Sequence, residues 1–223
     1  EIILLNRMSD YLITHSNQFG FKKKHSTDQC IYVMKEIFDA HRSLNGSMFV
    51  CFLDASKAFD RVNHNVLFNK LINRGIPGYI IRLLVFWYTN QKMCVRWGHT
   101  LSKDFSVSNG VRQGGILSSY LFCIYVDDLS KQLNMSNIGM KFNGITINHL
   151  MYADDLVLFA PSSAGLCKLL RICEKYGISH DIKYNSKKSA VMIVRSKLLK
   201  DSTLPNFSLY NETLTVVREY KYL

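Results

Sequence analysis

The spacing of apolar residues predicts several amphipathic helices. In "STDQCIYVMKEIFDAHRS" the apolar residues fall on one helical face, and Ser26 and Gln29 are spaced as a capping box at its start. Asp60 can cap the next helix, and Pro77 opens the one after it. The five predicted helices cover residues 26–43, 60–75, 77–90, 117–133 and 162–177, and residues 1–16 fit a further helix that the sequence enters midway.

Short apolar or alternating stretches predict strands between these helices. "SMFVCFLD" is an apolar run that ends in an acid, which suits a strand buried in a sheet. Alternation on both sides of "GHTLSKD" predicts a two-stranded hairpin, and Asn143-Gly144 is a strong signal for another. "SAVMIV" and "LTVV" complete the set. The order of elements predicts an α+β domain with helices on one face of an antiparallel sheet.

The pattern Tyr-x-Asp-Asp occurs twice, in two different settings. Tyr125 to Asp128 lies within the helix predicted over 117–133, where the acids fit a solvated face or a capping group. Tyr152 to Asp155 joins the apolar runs "NHLM" and "LVLFA", which predicts that its acids occupy the tight turn of a hairpin. Because Asp also favours turns for its own backbone chemistry, the turn position alone does not establish a function.

Composition adds a bias toward a polyanionic partner. The chain has 28 Lys and Arg against 17 Asp and Glu, a formal net charge of +11, which favours nucleic acid although basic proteins without such a partner are common. The six cysteines show no C-x-x-C pair or zinc-like spacing, which is typical of buried thiols in an intracellular protein. No apolar run approaches the ~20 residues of a membrane span, and the opening residues lack the features of a signal peptide.

Three carboxylates are predicted to converge at one edge of the sheet. Asp54 follows the strand in "SMFVCFLD", and Asp154 and Asp155 lie at the hairpin tip. If the two strands are neighbours, so much negative charge in a small volume requires bound cations or raised pKa values. Mg²⁺ prefers oxygen ligands, and a pair of such ions serves phosphoryl transfer. A polymerase or nuclease is the resulting hypothesis, against the simpler interpretation of Asp54 as a helix cap.

Several segments, in their order along the chain, resemble the palm motifs of reverse transcriptases, most closely those of LINE-type non-LTR retrotransposons. They are "FLDASKAFDRVNH", "NGVRQGGILSSYLFCIYVDDL", "LMYADDLVLFA" and "NSKKSAVMI". "NQFGFKKKHSTDQ" resembles an upstream block of these elements and of group II intron enzymes, and "REYKYL" resembles the start of the K-Y-L-G segment. The resemblance implies a polymerase palm at 48–196, preceded by partial fingers at 1–47 and followed at 197–223 by the end of the palm leading to a missing thumb. The chain would then be a fragment of a longer polyprotein.

The resemblance also implies roles for individual residues. Asp54, Asp154 and the carbonyl of Ala55 would bind two Mg²⁺ ions, for which Mn²⁺ can substitute, and Asp155 would assist as a further acid. Phe59 would be a steric gate that selects deoxynucleotides, with a core aromatic as the alternative. Lys188 would protonate the departing pyrophosphate, with Lys187 or a merely solvated lysine as alternatives. The other implied contacts are Tyr152, Gln113 and Gly114 to the nucleotide, and Lys22, Lys23, Lys24 and Arg112 to nucleic acid.

The implied function is RNA-directed DNA polymerisation. A DNA primer would be extended with dNTPs on an RNA template, in the cytoplasm and nucleus and without a membrane partner. An inactive retroelement remnant or a non-catalytic nucleic-acid-binding protein is the alternative of a different class. An RNA-dependent RNA polymerase and a purely structural basic domain are further alternatives that fit the sequence less well.

Overall fold

The computed structural model describes residues 1–43, 46–142, 144–194 and 206–223, which form two compact units. One unit comprises residues 1–13 and 59–125, and the other comprises residues 14–58 and 126–223. The helices are α1 Ile2–Met8, α2 Thr27–Ser43, α3 His64–Asn73, α4 Gly78–Thr89, α5 Ile116–Met135 and α6 Ser163–Ser179. The strands are β1 Met48–Leu53, β2 Lys92–Met93, β3 Arg96–Trp97, β4 Thr100–Leu101, β5 Phe105–Ser106, β6 Met140–Phe142, β7 Ile145–Ile147, β8 His149–Tyr152, β9 Asp155–Ala160, β10 Ala190–Val194, β11 Ser208–Leu209, β12 Glu212–Thr213 and β13 Thr215–Val217.

A five-stranded sheet in the order β13-β10-β1-β9-β8 forms the centre of the second unit. β1 is antiparallel to both neighbours, so Val50 lies opposite Phe159 on one side and Met192 on the other. β8 and β9 form an antiparallel hairpin, and β13 runs parallel to β10. The sequence motifs that end β1 and connect β8 to β9 are therefore brought to adjacent strands.

Side chains cover both faces of this sheet. Val50 and Phe159 pack in one cluster with Cys30 and Ile37 of α2. The neighbouring residue Cys51 points the other way, because side chains alternate along a strand, and α6 contacts β1 and β9. All six residues of β1 are buried. The predicted α+β class is confirmed. The structure differs in that helices cover both faces of the sheet instead of one, because a strand as apolar as β1 needs cover on both sides.

The five helices predicted from residue 26 onward are present, with one correction at a helix start. The helix predicted over residues 1–16 is shorter than expected, because α1 ends at Met8 and a short 3-10 turn, Ser9–Tyr11, follows it. α3 begins at His64, and the side chain of Asn63 caps it by accepting a hydrogen bond from the Val66 N–H at 3.2 Å. Asp60 instead lies in a short 3-10 turn, Phe59–Arg61, that separates β1 from α3. The predicted cap at Asp60 was wrong because this turn delays the helix until the next residue suited to capping. Pro77 precedes α4 as predicted.

The predicted hairpins are also present. β2 pairs with β5 and β3 with β4 around "GHTLSKD", although residues 92–106 are exposed and bury no face. β6 pairs with β7, whereas Asn143 of the predicted Asn-Gly turn lies outside the described residues. The predicted division at 196–197 lies outside them as well. β10 and β13 confirm the strands predicted in "SAVMIV" and "LTVV".

Two further features bear on the class of protein. Among the helices in the described part of the chain, none has the length and hydropathy needed to cross a membrane. All six cysteines are thiols, and four of them are buried, as the sequence predicted.

Candidate active site

The second Tyr-x-Asp-Asp pattern forms the hairpin turn between β8 and β9. Tyr152 pairs with Asp155, which leaves Ala153 and Asp154 as the two residues of the turn. Ala153 adopts a positive φ of 56°, a left-handed conformation that costs a non-glycine residue about 1 kcal/mol or more unless surrounding contacts fix it. The predicted hairpin is confirmed with Asp154 in its turn, whereas Asp155 already belongs to β9 and pairs with Tyr152.

Asp54 lies at the neighbouring strand end. Leu53, the last residue of β1, is paired with Leu156 of β9, so Asp54 and Asp155 each lie one residue beyond that pair at the same edge of the sheet. The carboxyls that were predicted to converge thus come from adjacent strands. Sheet topology achieves this juxtaposition across about a hundred residues of intervening chain.

The backbone at Asp54 is fixed by the segment that leads into β10. The Asn185 N–H donates to the Asp54 carbonyl at 2.8 Å, and the Asp54 N–H donates to Ser189 Oγ at 3.1 Å. Ala55 forms a bridge with Tyr184. Ser189 is almost fully buried, with 1% of its surface exposed. These contacts hold the first acid in place on a part of the chain that has no regular secondary structure.

Gln18 fixes the turn that contains Asp154 and leads into Asp155, a role that sequence reasoning missed. Gln18 Oε1 accepts hydrogen bonds from the N–H groups of Ala153 at 3.0 Å and Gly20 at 2.8 Å. The backbone beside it joins β8, since the Phe19 N–H donates to the Met151 carbonyl and the Met151 N–H to the Asn17 carbonyl. The predicted contacts in "NQFGFKKKHST" were its lysines, and the signal for Gln18 in the sequence is a polar side chain two residues before a glycine.

Two of the three carboxyls, Asp154 and Asp155, have raised pKa values. Burial raises the pKa of Asp154, and the charge of Asp54 raises it further. Burial likewise raises the pKa of Asp155, with added repulsion from Asp154 and Asp54. A nearby cation would relieve this repulsion and favour the ionised forms.

The donor set fits a hard divalent cation, which prefers carboxylate and carbonyl oxygens. In the part of the chain that the structure describes, no three His, Cys, Asp or Glu side chains are already arranged closely enough to enclose an ion. The fit therefore rests on the type of ligand and on the mutual repulsion of the acids, and the metal ligands remain predictions.

The first Tyr-x-Asp-Asp pattern has a structural role. Asp127 is buried, and its Oδ1 accepts a hydrogen bond from the His15 N–H at 2.7 Å. Asp128 is partly exposed and forms a salt bridge with Lys131 at 2.9 Å. A solvated face was therefore the wrong interpretation for Asp127, because the helix turns this carboxylate inward, where a backbone donor from the segment after α1 meets it.

The remaining predicted residues of this unit differ in exposure. Tyr152 is half-buried and packs against the sheet cluster. Lys188 is exposed and lies in the turn that holds Asp54, its N–H directed to the Asn185 carbonyl at 3.2 Å. Lys22 donates from Nζ to the carbonyls of Thr14 and His15, each at 3.2 Å. Lys23 and Lys24 are exposed.

Four predicted residues belong to the unit formed by residues 1–13 and 59–125. The ring of Phe59 stacks on buried Phe122, with centroids 4.5 Å apart, and remains partly exposed. Gln113 is exposed and donates from Nε2 to Asp60 Oδ1 at 2.9 Å. Arg112 is exposed. Gly114 adopts a positive φ of 82° with open space around it, so the backbone conformation, not a close protein neighbour, requires glycine there.

Comparison with known proteins supports one family. The family model described as "Reverse transcriptase (RNA-dependent DNA polymerase)" matches residues 1–223. A Pol polyprotein of the R2 element from Nasonia vitripennis is 25% identical over 99% of the chain, and one of R2DM from Drosophila melanogaster is 31% identical over 75%. The chain spans only 22% and 16% of these two relatives.

A solved structure agrees at the level of the fold. Telomerase from Candida albicans, solved with a fragment of telomeric RNA, superposes with a TM-score of 0.65 over 93% of this chain and 35% of its own, at 15% identity. The predicted polymerase palm fold is confirmed by this likeness. Together with the family match over residues 1–223, these findings show that the chain belongs to the reverse transcriptase (RNA-dependent DNA polymerase) family.

Proposed function

We propose that this chain is the catalytic palm of an RNA-directed DNA polymerase of a non-LTR retrotransposon. It would extend a DNA primer with dNTPs on an RNA template. The observation that carries the proposal is the set of Asp54, Asp154 and Asp155, which come from the ends of adjacent strands. Burial and the charge of Asp54 raise the pKa values of Asp154 and Asp155. Such a set suits metal-assisted phosphoryl transfer.

Enzymes of this family generally use divalent metal ions. Asp54, Asp154, Asp155 and the carbonyl of Ala55 would hold two Mg²⁺ ions, for which Mn²⁺ could substitute. Bound there, the ions would neutralise charge that develops on the attacking and leaving oxygens. The protein's own contribution is to present the carboxyls in fixed positions, through the contacts of Ser189 and Asn185 at Asp54 and of Gln18 at the turn.

Other residues would bind or protonate the reactants. Lys188 is exposed on the turn that holds Asp54, and it would donate a proton to the departing pyrophosphate. Lys187 on the same turn is the alternative donor. Tyr152, Gln113 and Gly114 would contact the incoming nucleotide, and Phe59 would exclude a ribose 2′-hydroxyl.

The positive charge of the chain would hold template and primer through their phosphates. Lys23, Lys24 and Arg112 are exposed and suited to this task, whereas Lys22 also supports the local fold through Thr14 and His15. Binding should weaken as salt rises, because phosphate neutralisation releases counterions. The expected sites of action are the cytoplasm and nucleus, where a retroelement enzyme meets its RNA and its chromosomal target.

Primer extension tests the proposal. The chain is incubated with a primed RNA template, dNTPs and Mg²⁺, beside Asp154→Ala and the matched control Asp128→Ala, which removes an acid of the helical pair. We expect extension with the unaltered chain and the control, and none with Asp154→Ala. Extension that survives Asp154→Ala would refute the site. Salt-sensitive template binding without extension by any form would instead favour the non-catalytic nucleic-acid-binding alternative.

A further inference from the structure

Gln18 is a buried amide that contacts the turn of the acids without belonging to their donor set. Only 1% of its surface is exposed. It lies in the segment 17–19 that runs alongside β8 through backbone hydrogen bonds to Met151, and the Asn17 side chain adds a bond to the His149 carbonyl at 2.9 Å. The backbone of Gln18 is thereby fixed to the strand that leads into the turn.

The side-chain amide of Gln18 faces both the backbone N–H and the backbone carbonyl of one turn residue, Ala153. Its Oε1 accepts from the Ala153 N–H at 3.0 Å, and its Nε2 is directed at the Ala153 carbonyl at 3.5 Å. The same Oε1 accepts from the Gly20 N–H at 2.8 Å. Ala153 is 4% exposed, so water has little access to these groups, and a buried N–H without a partner is costly.

The absence of a side chain at Gly20 allows its backbone to approach the backbone of Ala153 closely. A Cβ at position 20 would lie 2.4 Å from the Ala153 nitrogen and 3.1 Å from Gln18 Oε1. Gln18 and Gly20 therefore define the position of Ala153 together, one by hydrogen bonding and one by close approach. Ala153 needs such support because its φ of 56° is unfavourable for a residue with a Cβ.

We propose that Gln18 is a positioning residue for nucleotide addition. By fixing Ala153 it sets the geometry of the adjacent Asp154 and Asp155 relative to Asp54. The inference rests on the proposed polymerase function, in which a displacement of about 1 Å at reacting groups can cost on the order of a hundredfold in rate. Gln18 itself touches neither substrate nor metal in this scheme.

Two variants of Gln18 separate its hydrogen bonding from its bulk. Gln18→Met keeps the length of the side chain but offers no comparable acceptor, and Gln18→Glu keeps an acceptor oxygen for both N–H groups. Gln132→Met makes the same Gln-to-Met substitution at an exposed position of α5 and is the matched control.

The first readout is hydrogen exchange at the Ala153 amide, which does not depend on activity. We expect exchange to be about tenfold faster or more in Gln18→Met and close to the unaltered chain in the control. A smaller increase is expected in Gln18→Glu, which keeps the acceptor but loses the amide donor beside the Ala153 carbonyl.

The second readout is the single-turnover rate of primer extension. Gln18→Met should lower the maximal rate by about tenfold or more at saturating dNTP, with template affinity unchanged. A purely structural role would lower the folded fraction instead, so the rate per folded molecule, with folding followed by circular dichroism, should remain reduced. Gly20→Ala displaces Ala153 while leaving the Gln18 amide intact, so it should also speed exchange at Ala153 and lower the extension rate per folded molecule. This variant replaces Gln18→Met in the test if Gln18→Met fails to fold.

The outcomes distinguish the two proposals. If the unaltered chain extends primers and Asp154→Ala does not, normal exchange and a normal rate in Gln18→Met would overturn the inference while the proposed function stands. If the unaltered chain fails to extend primers, the proposed function fails, and exchange at Ala153 alone decides whether Gln18 fixes the turn. Unchanged exchange in Gln18→Met refutes the inference in either case.

Discussion

Ser189 Oγ accepts a hydrogen bond from the backbone N–H of Asp54 at 3.1 Å, across a separation of 135 residues. A second bond, from the Asn185 N–H to the Asp54 carbonyl, fixes the other side of the same residue. The first acid of the candidate site is therefore held at its backbone, and its carboxyl remains available for a ligand. Variants of Ser189 should affect both folding and chemistry.

We predict that Ser189→Ala lowers the free energy of unfolding by about 1–2 kcal/mol, because the half-buried Asp54 N–H loses its acceptor. The extension rate per folded molecule should fall as well, since Asp54 gains freedom to move. Urea unfolding followed by circular dichroism gives the first quantity, and primer extension gives the second. Ser208→Ala, at an exposed position of β11, should leave both unchanged. An equally stable and active Ser189→Ala chain would contradict this prediction.

The raised pKa values of Asp154 and Asp155 predict a pH-dependent stability. Burial is the main cause of both shifts. The folded state binds these protons more tightly than the unfolded chain does. Proton binding therefore adds to the free energy of unfolding at pH values below the pKa of the unfolded chain, and this addition is lost as the pH rises through the raised pKa of the folded state. Without divalent metal, Asp154→Asn should therefore stabilise the chain at pH 7, and the gain should shrink toward pH 4.

Unfolding in urea at a series of pH values, with EDTA present, measures this effect. Asp128→Asn is the control, because its carboxylate is partly exposed and paired with Lys131. A gain from Asp154→Asn that is absent at pH 7, or that grows as the pH is lowered, would show that burial does not penalise the ionised carboxyl. Added Mg²⁺ should stabilise the unaltered chain at pH 7 more than it stabilises Asp154→Asn.

The helical acid pair should matter for folding and not for chemistry. Asp127→Ala leaves the His15 N–H without its carboxylate acceptor, so we expect the free energy of unfolding to fall by about 1–3 kcal/mol. Asp128→Ala removes an exposed salt bridge and should cost less than about 1 kcal/mol. Thermal unfolding provides the comparison. Loss of extension per folded molecule in Asp127→Ala, with stability unchanged, would reverse the roles that we assign to the two pairs.

Phe59 should control the choice between deoxynucleotides and ribonucleotides. Phe59→Val shortens the ring that we propose meets the sugar, so ribonucleotide incorporation relative to deoxynucleotide incorporation should rise by about tenfold or more. Single-nucleotide extension with matched dNTP and NTP measures the ratio. Phe105→Val, at an exposed aromatic of the same unit, is the control. If Phe59→Val lowers stability but leaves the ratio of ribonucleotide to deoxynucleotide incorporation unchanged, Phe59 is a core aromatic that stacks on Phe122 and does not select the sugar.

Much of the local structure was predictable because it depends on local patterns. Residues such as Leu121 and Leu129 recur at helical spacing and are buried in α5, and the apolar run of β1 ends at Asp54 as expected. The hairpin turn at Ala153 and Asp154 follows from two short apolar runs with a polar pair between them. The start of α3 was misplaced at Asp60 because several residues near a helix start can cap it, and only the path of the chain selects Asn63.

Local sequence patterns were enough to predict most of the helices and strands, the positions of the three acids near strand ends, and the resemblance to the reverse transcriptase palm. The groups that hold those acids are set by the tertiary fold, as the bonds from Ala153 to Gln18 and from Asp54 to Ser189 show. It also turned Asp127 inward toward His15. Each of these bonds joins residues more than a hundred positions apart, so it depends on strand order and register, which no local periodicity encodes.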